Sequence, residues 1–239
     1  ISCYYMRIFS WNCKMKFRDD YVHAIKYKPD LMIIPECESL DKITAPEKSD
    51  SYWIGDNMHK GLGIFAFNGY KVEIYKNYTD RFKYILPFTL SNDTISYKVI
   101  AVWTKKVEEK KKNHINYIKQ LYFALKEYEE FLDNDNVIIC GDLNSNLFWE
   151  RTGIDKNHQD VLDQLSIKNL YSAYHHFHSE KQGKETQATY YHYHKKDRPF
   201  HIDFCFLSKN LMEKLKNMEV GKYEDWIKLS DHVPLIIDI

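Results

Sequence analysis

No stretch of this 239-residue chain approaches the ~18 consecutive apolar residues of a membrane span, and the sequence predicts no membrane partner. The basic-then-apolar layout of a signal peptide is missing too. Ile1 is not an initiator. Met6, directly ahead of the first strand-like run, reads as the native start, with residues 1–5 outside it. Net charge is lacking: 34 Lys+Arg balance 34 Asp+Glu. That argues against adhesion to nucleic acid or membrane by bulk positive charge and leaves room for a local basic groove. Glycine and proline are few, at 8 and 6, and no Gly-, Pro- or Ser-rich linker divides the chain. With no repeat or low-complexity tract either, residues 1–239 read as one domain, long enough to bury a sizeable core. The five cysteines are an odd number without zinc-site spacing. They read as small apolar strand residues of a reduced, cytoplasmic protein.

What the chain does have is a series of short apolar runs. Arg7–Trp11, Asp30–Pro35, Gly61–Phe67, Val72–Tyr75, Tyr84–Leu90 and Tyr97–Trp103 read as strands. Val137–Cys140, Thr189–His194, Phe200–Leu207 and Leu235–Ile239 read the same way. Ile115, Ile118, Leu121, Tyr122, Leu125, Tyr128 and Leu132 recur at 3- and 4-residue spacing, which predicts a helix from about Asn113 to Leu132. Shorter helices are expected over Tyr21–Tyr27, Asp160–Ile167 and Asn210–Leu215. Strands outnumber helices and do not alternate strictly with them. That order favours an α/β sandwich of two sheets over a doubly wound parallel sheet.

Polar residues stand at the ends of these buried strands, where packing gives no reason for them. Asn12 follows the first and Glu36 the second. Asp142 and Asn144 follow Val137–Cys140. Asp203 interrupts another, and Asp231 with His232 lead into the last. Oxygen donors of this kind suit Mg²⁺ or Mn²⁺. An imidazole beside them can stabilise charge developing on a phosphate. Singly, each signal is weak, since Asp-x-Asn and Asp-His occur in many turns. As an ordered set, all at the same kind of structural position, they point to metal-assisted phosphoester chemistry.

Trp11-Asn12, Pro35-Glu36, Gly141-Asp142-Leu143-Asn144, His201-Ile202-Asp203-Phe204 and Ser230-Asp231-His232-Val233-Pro234 resemble the signature set of the endonuclease/exonuclease/phosphatase superfamily, DNase I-like and exonuclease III-like metal-dependent phosphoesterases among them. The resemblance runs from about Met6 to Ile239 and does not single out one branch. It implies a four-layer α-β-β-α sandwich with two mixed sheets packed face to face. It also implies a metal-dependent hydrolase. Glu36 would bind the ion, with Asn12 beside it and Asp231 as a further ligand. Asp142 would orient or deprotonate the attacking water, and Asn144 would position it. Asp203 would fix His232, which would donate to the scissile phosphate.

The chain departs from the pattern at two places. Trp103 stands where many relatives carry His or Tyr, so a phosphate donor is expected from Thr104, Lys105 or Lys106 nearby. His201 stands where Arg is common; with Trp103, Thr104 and Lys105 it is a candidate for substrate binding, and a strand histidine satisfied by its neighbours is the plainer reading. Between Tyr171 and His201, aromatics, histidines and cations interleave. That composition can stack bases and hold phosphates, or can be a half-buried aromatic face with a solvated loop. His175, His176 and His178 lack the spacing of a formed zinc site.

The expected substrate is a nucleic-acid phosphodiester. A nucleotide, inositol phosphate or lipid headgroup is the alternative, because the balanced charge weakens backbone binding. A non-catalytic binding module is the reading outside enzymology. The retention of Glu36 and Asp142 opposes it. Oligomeric state is not legible.

Overall fold

The computed structural model describes residues 5–106, 117–150 and 153–239. Regular structure begins with β1 (Arg7–Ser10), α1 (Phe17–Ile25), β2 (Leu31–Cys37), β3 (Asp50–Asn57), β4 (Lys60–Ala66), β5 (Lys71–Ile74), β6 (Ile85–Ser91) and β7 (Ser96–Trp103). It continues with α2 (Ile118–Glu127), β8 (Val137–Asp142), α3 (His158–Ile167), β9 (Leu170–Ser172), α4 (Ala173–His178), β10 (Tyr190–Tyr191) and β11 (Pro199–Phe200). Last come β12 (Asp203–Ser208), α5 (Lys209–Met212), β13 (Asn217–Val220), α6 (Tyr223–Trp226) and β14 (Leu235–Asp238).

Two six-stranded sheets form, in the orders β13-β14-β1-β2-β4-β3 and β5-β6-β7-β8-β12-β9. Each is mixed. β1 runs parallel to β2, and β7 parallel to β8. Every other pairing in the two sheets is antiparallel. A parallel pair needs a crossover connection. α1 lies in the first crossover and α2 in the second.

Side chains on a strand alternate between faces, and β7 uses both. Val99, Ala101 and Trp103 enter a core that both sheets share. Ile100 and Val102 enter a second core with Leu121 and Leu125 of α2 and Val161 and Leu165 of α3. Burial on both faces explains why β7 and β8 read as unbroken apolar runs. On the other sheet, Phe17 of α1 packs 5.2 Å from Phe65 of β4, and Trp226 of α6 lies 4.9 Å from Trp11. Helices therefore cover both outer faces, and the expected four-layer sandwich is the one found.

Several elements differ from the sequence reading. α1 starts at Phe17, earlier than expected, and stops at Ile25. Of the expected helix from Asn113, residues 113–116 lie outside the described residues, and a 3₁₀ turn, Glu130–Leu132, forms its end. The strand expected over Thr189–His194 is only β10, after which His192–His194 turn with Tyr193 at φ 54. A left-handed residue cannot continue a strand. The strand expected over Phe200–Leu207 divides into β11, in a small ribbon with β10, and β12, in the main sheet. β3, β9, β13, α4 and α6 were not foreseen.

Candidate active site

The sheet topology decides which residues meet. Parallel neighbours end at the same sheet edge, and an antiparallel neighbour begins there. Ser10 pairs with Leu235, so the chain leaving β1 at Asn12 lies beside the chain entering β14 at His232. Asp142 at the end of β8 pairs with Asp203 at the start of β12. Glu36, near the end of β2, sits at an irregularity between Pro35 and Cys37. Its φ of 59 makes it the extra, left-handed residue of a bulge. Gly141 has φ 145, and a Cβ there would lie 2.0 Å from the Val102 carbonyl oxygen. Only glycine lets β8 run this close to β7 and still deliver Asp142 at its tip.

Asp142 is fully buried. Its Oδ2 accepts from Asn12 Nδ2 at 3.0 Å and Asn144 Nδ2 at 3.1 Å, and its Oδ1 accepts from the Asn144 backbone N–H at 2.9 Å. Asn144 takes φ 45 to reach back this way, and its Nδ2 also donates to the Thr104 carbonyl at 2.8 Å. His232 Nδ1 donates to Asp203 Oδ2 at 2.9 Å. Its Nε2 points at Asp142 Oδ2 across 3.9 Å. That gap is too long for a hydrogen bond and lets a single oxygen atom touch both groups. One ligand atom each from Asp142, Asp203 and His232 falls within 4.8 Å of the others.

The two facing groups are poised in opposite protonation states. Burial, then the Asp203 charge, push the Asp142 carboxyl up to about 7. Burial alone would lower His232, but the charges of Asp203 and Asp142, the hydrogen bond to Asp203 and the charge of Asp231 overcome it and raise the imidazole to about 10. Near neutrality the site therefore holds a carboxyl able to exchange a proton opposite a cationic donor.

Glu36 and Asp231 each carry a lysine. Lys60 Nζ lies 3.1 Å from Glu36 Oε2, and Lys14 Nζ lies 2.9 Å from Asp231 Oδ2. Burial opposes ionisation of Asp231, but the charges of His232 and Lys14 hold it below the usual carboxylate range. Glu36 and Asp231 are oxygen donors of the kind that suits a small hard cation such as Mg²⁺ or Mn²⁺, whereas among the described residues the carboxylates and imidazole gathered within 4.8 Å of one another are Asp142, Asp203 and His232.

Of the remaining candidates, Trp103 pairs with Asp142 across the sheet and the Thr104 N–H donates to the Asp142 carbonyl at 3.0 Å, but their side chains are spent on packing. Trp103 is 2% exposed, packed 4.7 Å from the Tyr84 ring. Lys60 and Lys105 stand over its ring at 5.4 and 5.1 Å. Thr104 is fully buried and donates to the Leu143 carbonyl at 2.5 Å, leaving no side-chain surface for a substrate. Lys105 Nζ approaches Asp56 at 3.9 Å and the Tyr84 ring at 4.7 Å. His201 donates from Nδ1 to the Gln187 carbonyl at 2.7 Å, and its ring packs 4.4 Å from Tyr174. His175 is spent on Ser172 and Glu185, and His178 on the Met218 carbonyl.

Sequence reading missed the groups that brace the site. Ser230 Oγ donates to the Asn12 carbonyl at 2.7 Å and accepts from the His232 N–H at 3.1 Å. Thr189 Oγ1 accepts from the N–H of Ile202 and of Asp203. The Tyr190 ring lies 4.8 Å from His232. One ring further out, Phe200 and Trp149 stand 4.8 Å apart on a cavity of about 260 Å³ that Asn146 and Gln187 also line. Small hydroxyls and neutral rings carry no local sequence signal for such roles.

The sequence matches no known protein family and no curated protein. Solved structures do match over nearly the whole chain. The endonuclease domain of TRAS1, a telomere-specific non-LTR retrotransposon, is 14% identical with a TM-score of 0.69, covering 99% of this chain and 98% of that one. An AP endonuclease from Archaeoglobus fulgidus is 15% identical with a TM-score of 0.70, covering 97% and 98%. The 3′ phosphatase NExo from Neisseria, bound to product DNA hairpin, is 16% identical with a TM-score of 0.69, again covering 97% and 98%. At these identities the likeness is one of fold, and it is the fold that the sequence resemblance implies.

Proposed function

We propose that this protein is a metal-dependent phosphodiesterase that hydrolyses nucleic-acid phosphodiester bonds. The observation that carries the reading is the pairing of Asp142 with a cationic His232 across 3.9 Å, at the meeting edge of two sheets. A carboxyl near 7 suits a general base at neutral pH. Asp142 takes the proton of the attacking water, and Asn144 orients that water. His232, fixed in orientation and charge by Asp203, donates to a phosphate oxygen and stabilises the negative charge gathering there. Glu36, Asn12 and Asp231 form the donor set for one or more divalent ions, Mg²⁺ or Mn²⁺. When bound, such an ion supplies Lewis-acid polarisation and a template for the phosphate.

Nucleic acid is favoured by the surroundings. Phe148 is 70% exposed and Tyr193 68% exposed, on loops flanking the site. Arg198 lies 6.0 Å from the Tyr193 ring. Exposed aromatics beside cations serve as stacking platforms for bases. The balanced net charge favours a second reading, a small phosphorylated substrate, since backbone binding draws on positive charge. The described cysteines are free and buried, in keeping with a reducing compartment such as the cytoplasm. Among the described residues no helix is long and apolar enough to cross a membrane.

The test is hydrolysis in Mg²⁺ or Mn²⁺ of duplex DNA, abasic duplex, single-stranded DNA, RNA and a chromogenic phosphodiester, with His232→Ala alongside. Metal-dependent polymer cleavage that vanishes in the variant supports the reading. Turnover of the small ester alone moves the substrate to the second reading. No variant-sensitive turnover on any substrate overturns both.

A further inference from the structure

Lys14 occupies the turn after Asn12 in an unusual way. Lys14 and Met15 both adopt left-handed backbone, at φ 51 and 63. Such conformations are strained outside glycine and persist only where the surroundings impose them. Here they are imposed. The Lys14 N–H donates to Asn12 Oδ1 at 3.1 Å, and the Met15 N–H donates to the Glu36 carbonyl at 3.1 Å. The turn is thereby tied to the bulge that carries Glu36. Its side chain reaches Asp231 Oδ2 at 2.9 Å and His194 Nε2 at 2.8 Å. His194 can accept there because its Nδ1 donates to the Ile227 carbonyl at 3.0 Å. Asp231 is held in turn, its carbonyl accepting from the Tyr191 N–H at 2.8 Å. The ammonium is thus fixed from both ends. Asn12 joins it to the reaction centre, because the same amide donates to Asp142 and accepts from Lys14.

This geometry gives the cation a meaning. Asp231 Oδ2 already holds the ammonium at 2.9 Å, so a metal ion at the same oxygen would meet a fixed positive charge at close range, which is unfavourable.

We infer that Lys14 is a resident cation of the site: its ammonium, in place of a second metal ion, occupies the Asp231 corner and takes Asp231 out of the metal donor set, and a single divalent ion binds on the Glu36 side. Lys60 differs in kind. It is a strand side chain 3.1 Å from Glu36 that otherwise stands over the Trp103 ring at 5.4 Å, and among the described residues no second carboxylate or backbone turn holds it, so it can yield to an ion. This inference rests on the metal-dependent reading above and deepens it.

The test counts bound Mn²⁺ by electron paramagnetic resonance in metal titrations of the wild type, Glu36→Gln, Lys14→Ala, Lys14→Arg and Lys14→Gly. The glycine variant removes the ammonium while favouring the left-handed turn, so it keeps the fold. One ion in the wild type, lost in Glu36→Gln, retained singly in Lys14→Arg and doubled in Lys14→Ala and Lys14→Gly is the expected result. Two ions in the wild type, or one in both Lys14→Ala and Lys14→Gly, overturn the inference and leave metal-dependent hydrolysis standing. No bound ion in any form, with cleavage unaffected by chelation, overturns the inference together with the reading beneath it.

Discussion

Asp203→Asn offers the sharpest probe of the site, because it removes one charge and almost no volume. The carboxylate lies 2.9 Å from His232 Nδ1 in a buried setting. At an effective dielectric of about 20 a pair of unit charges at that separation interacts by roughly 6 kcal/mol, or about four pKa units. His232, raised to about 10 in the native site, should therefore fall to about 6 in the variant. At pH 8 the native imidazole is cationic, whereas the variant's is protonated about one time in a hundred. Loss of a cationic donor to the phosphate then predicts a rate lower by about 10²-fold at pH 8, within the range for removing one such donor. The assay is an NMR titration of the His232 ring in metal-free protein, wild type and variant, with initial rates at matched pH. A His232 midpoint that moves by less than one unit would refute the electrostatic account. So would an unchanged rate at pH 8 despite a shifted midpoint, which would remove His232 from the chemistry.

Three further outcomes are expected. Asp142→Asn should lower the rate by about 10²- to 10⁴-fold, the range for a positioned base, with an unaltered circular dichroism spectrum. Gly141→Ala should cost about 3 kcal/mol or more in urea unfolding, because its Cβ would collide with the Val102 carbonyl and its φ disfavours side chains. His232 should couple stability to pH: its folded pKa lies above the unfolded 6.5, so its contribution is complete below about 6.5 and is lost as pH rises through about 10. Metal-free melting curves of wild type and His232→Gln should therefore converge at high pH, and a gap unchanged between pH 6 and 10.5 would contradict this.

How much of this the sequence could yield depends on what each residue's burial left behind. β1, β2, β4, β7, β8, β12 and β14 are buried enough to read as apolar runs. β3 is half-exposed along most of its length, so Asp50–Asn57 looks like loop. α4 spells Ala-Tyr-His-His-Phe-His, which has no helical period to detect. Asp142 and Asp203 stand out as charged residues at strand ends, but that they face one another is a matter of register, which no local pattern encodes. Lys14 shows the limit most clearly. Its partner Asp231 lies 217 residues away, and a lysine in a turn ordinarily faces water.

The pairing of β1 with β14 sets the order in which a working protein can arise. Ser230 of the last turn grips Asn12 of the first across 218 residues, and Ser10 pairs with Leu235. A growing chain can complete β7, β8 and their helices early, yet Asp142 waits opposite an empty place until the final strand inserts beside the first. Contacts of such sequence separation form slowly, since closing the loop costs entropy before any contact repays it. Formation of the Asp142–His232 pair would then come late in folding, and a nascent chain halted before His232 would hold most of the second sheet with that pair incomplete.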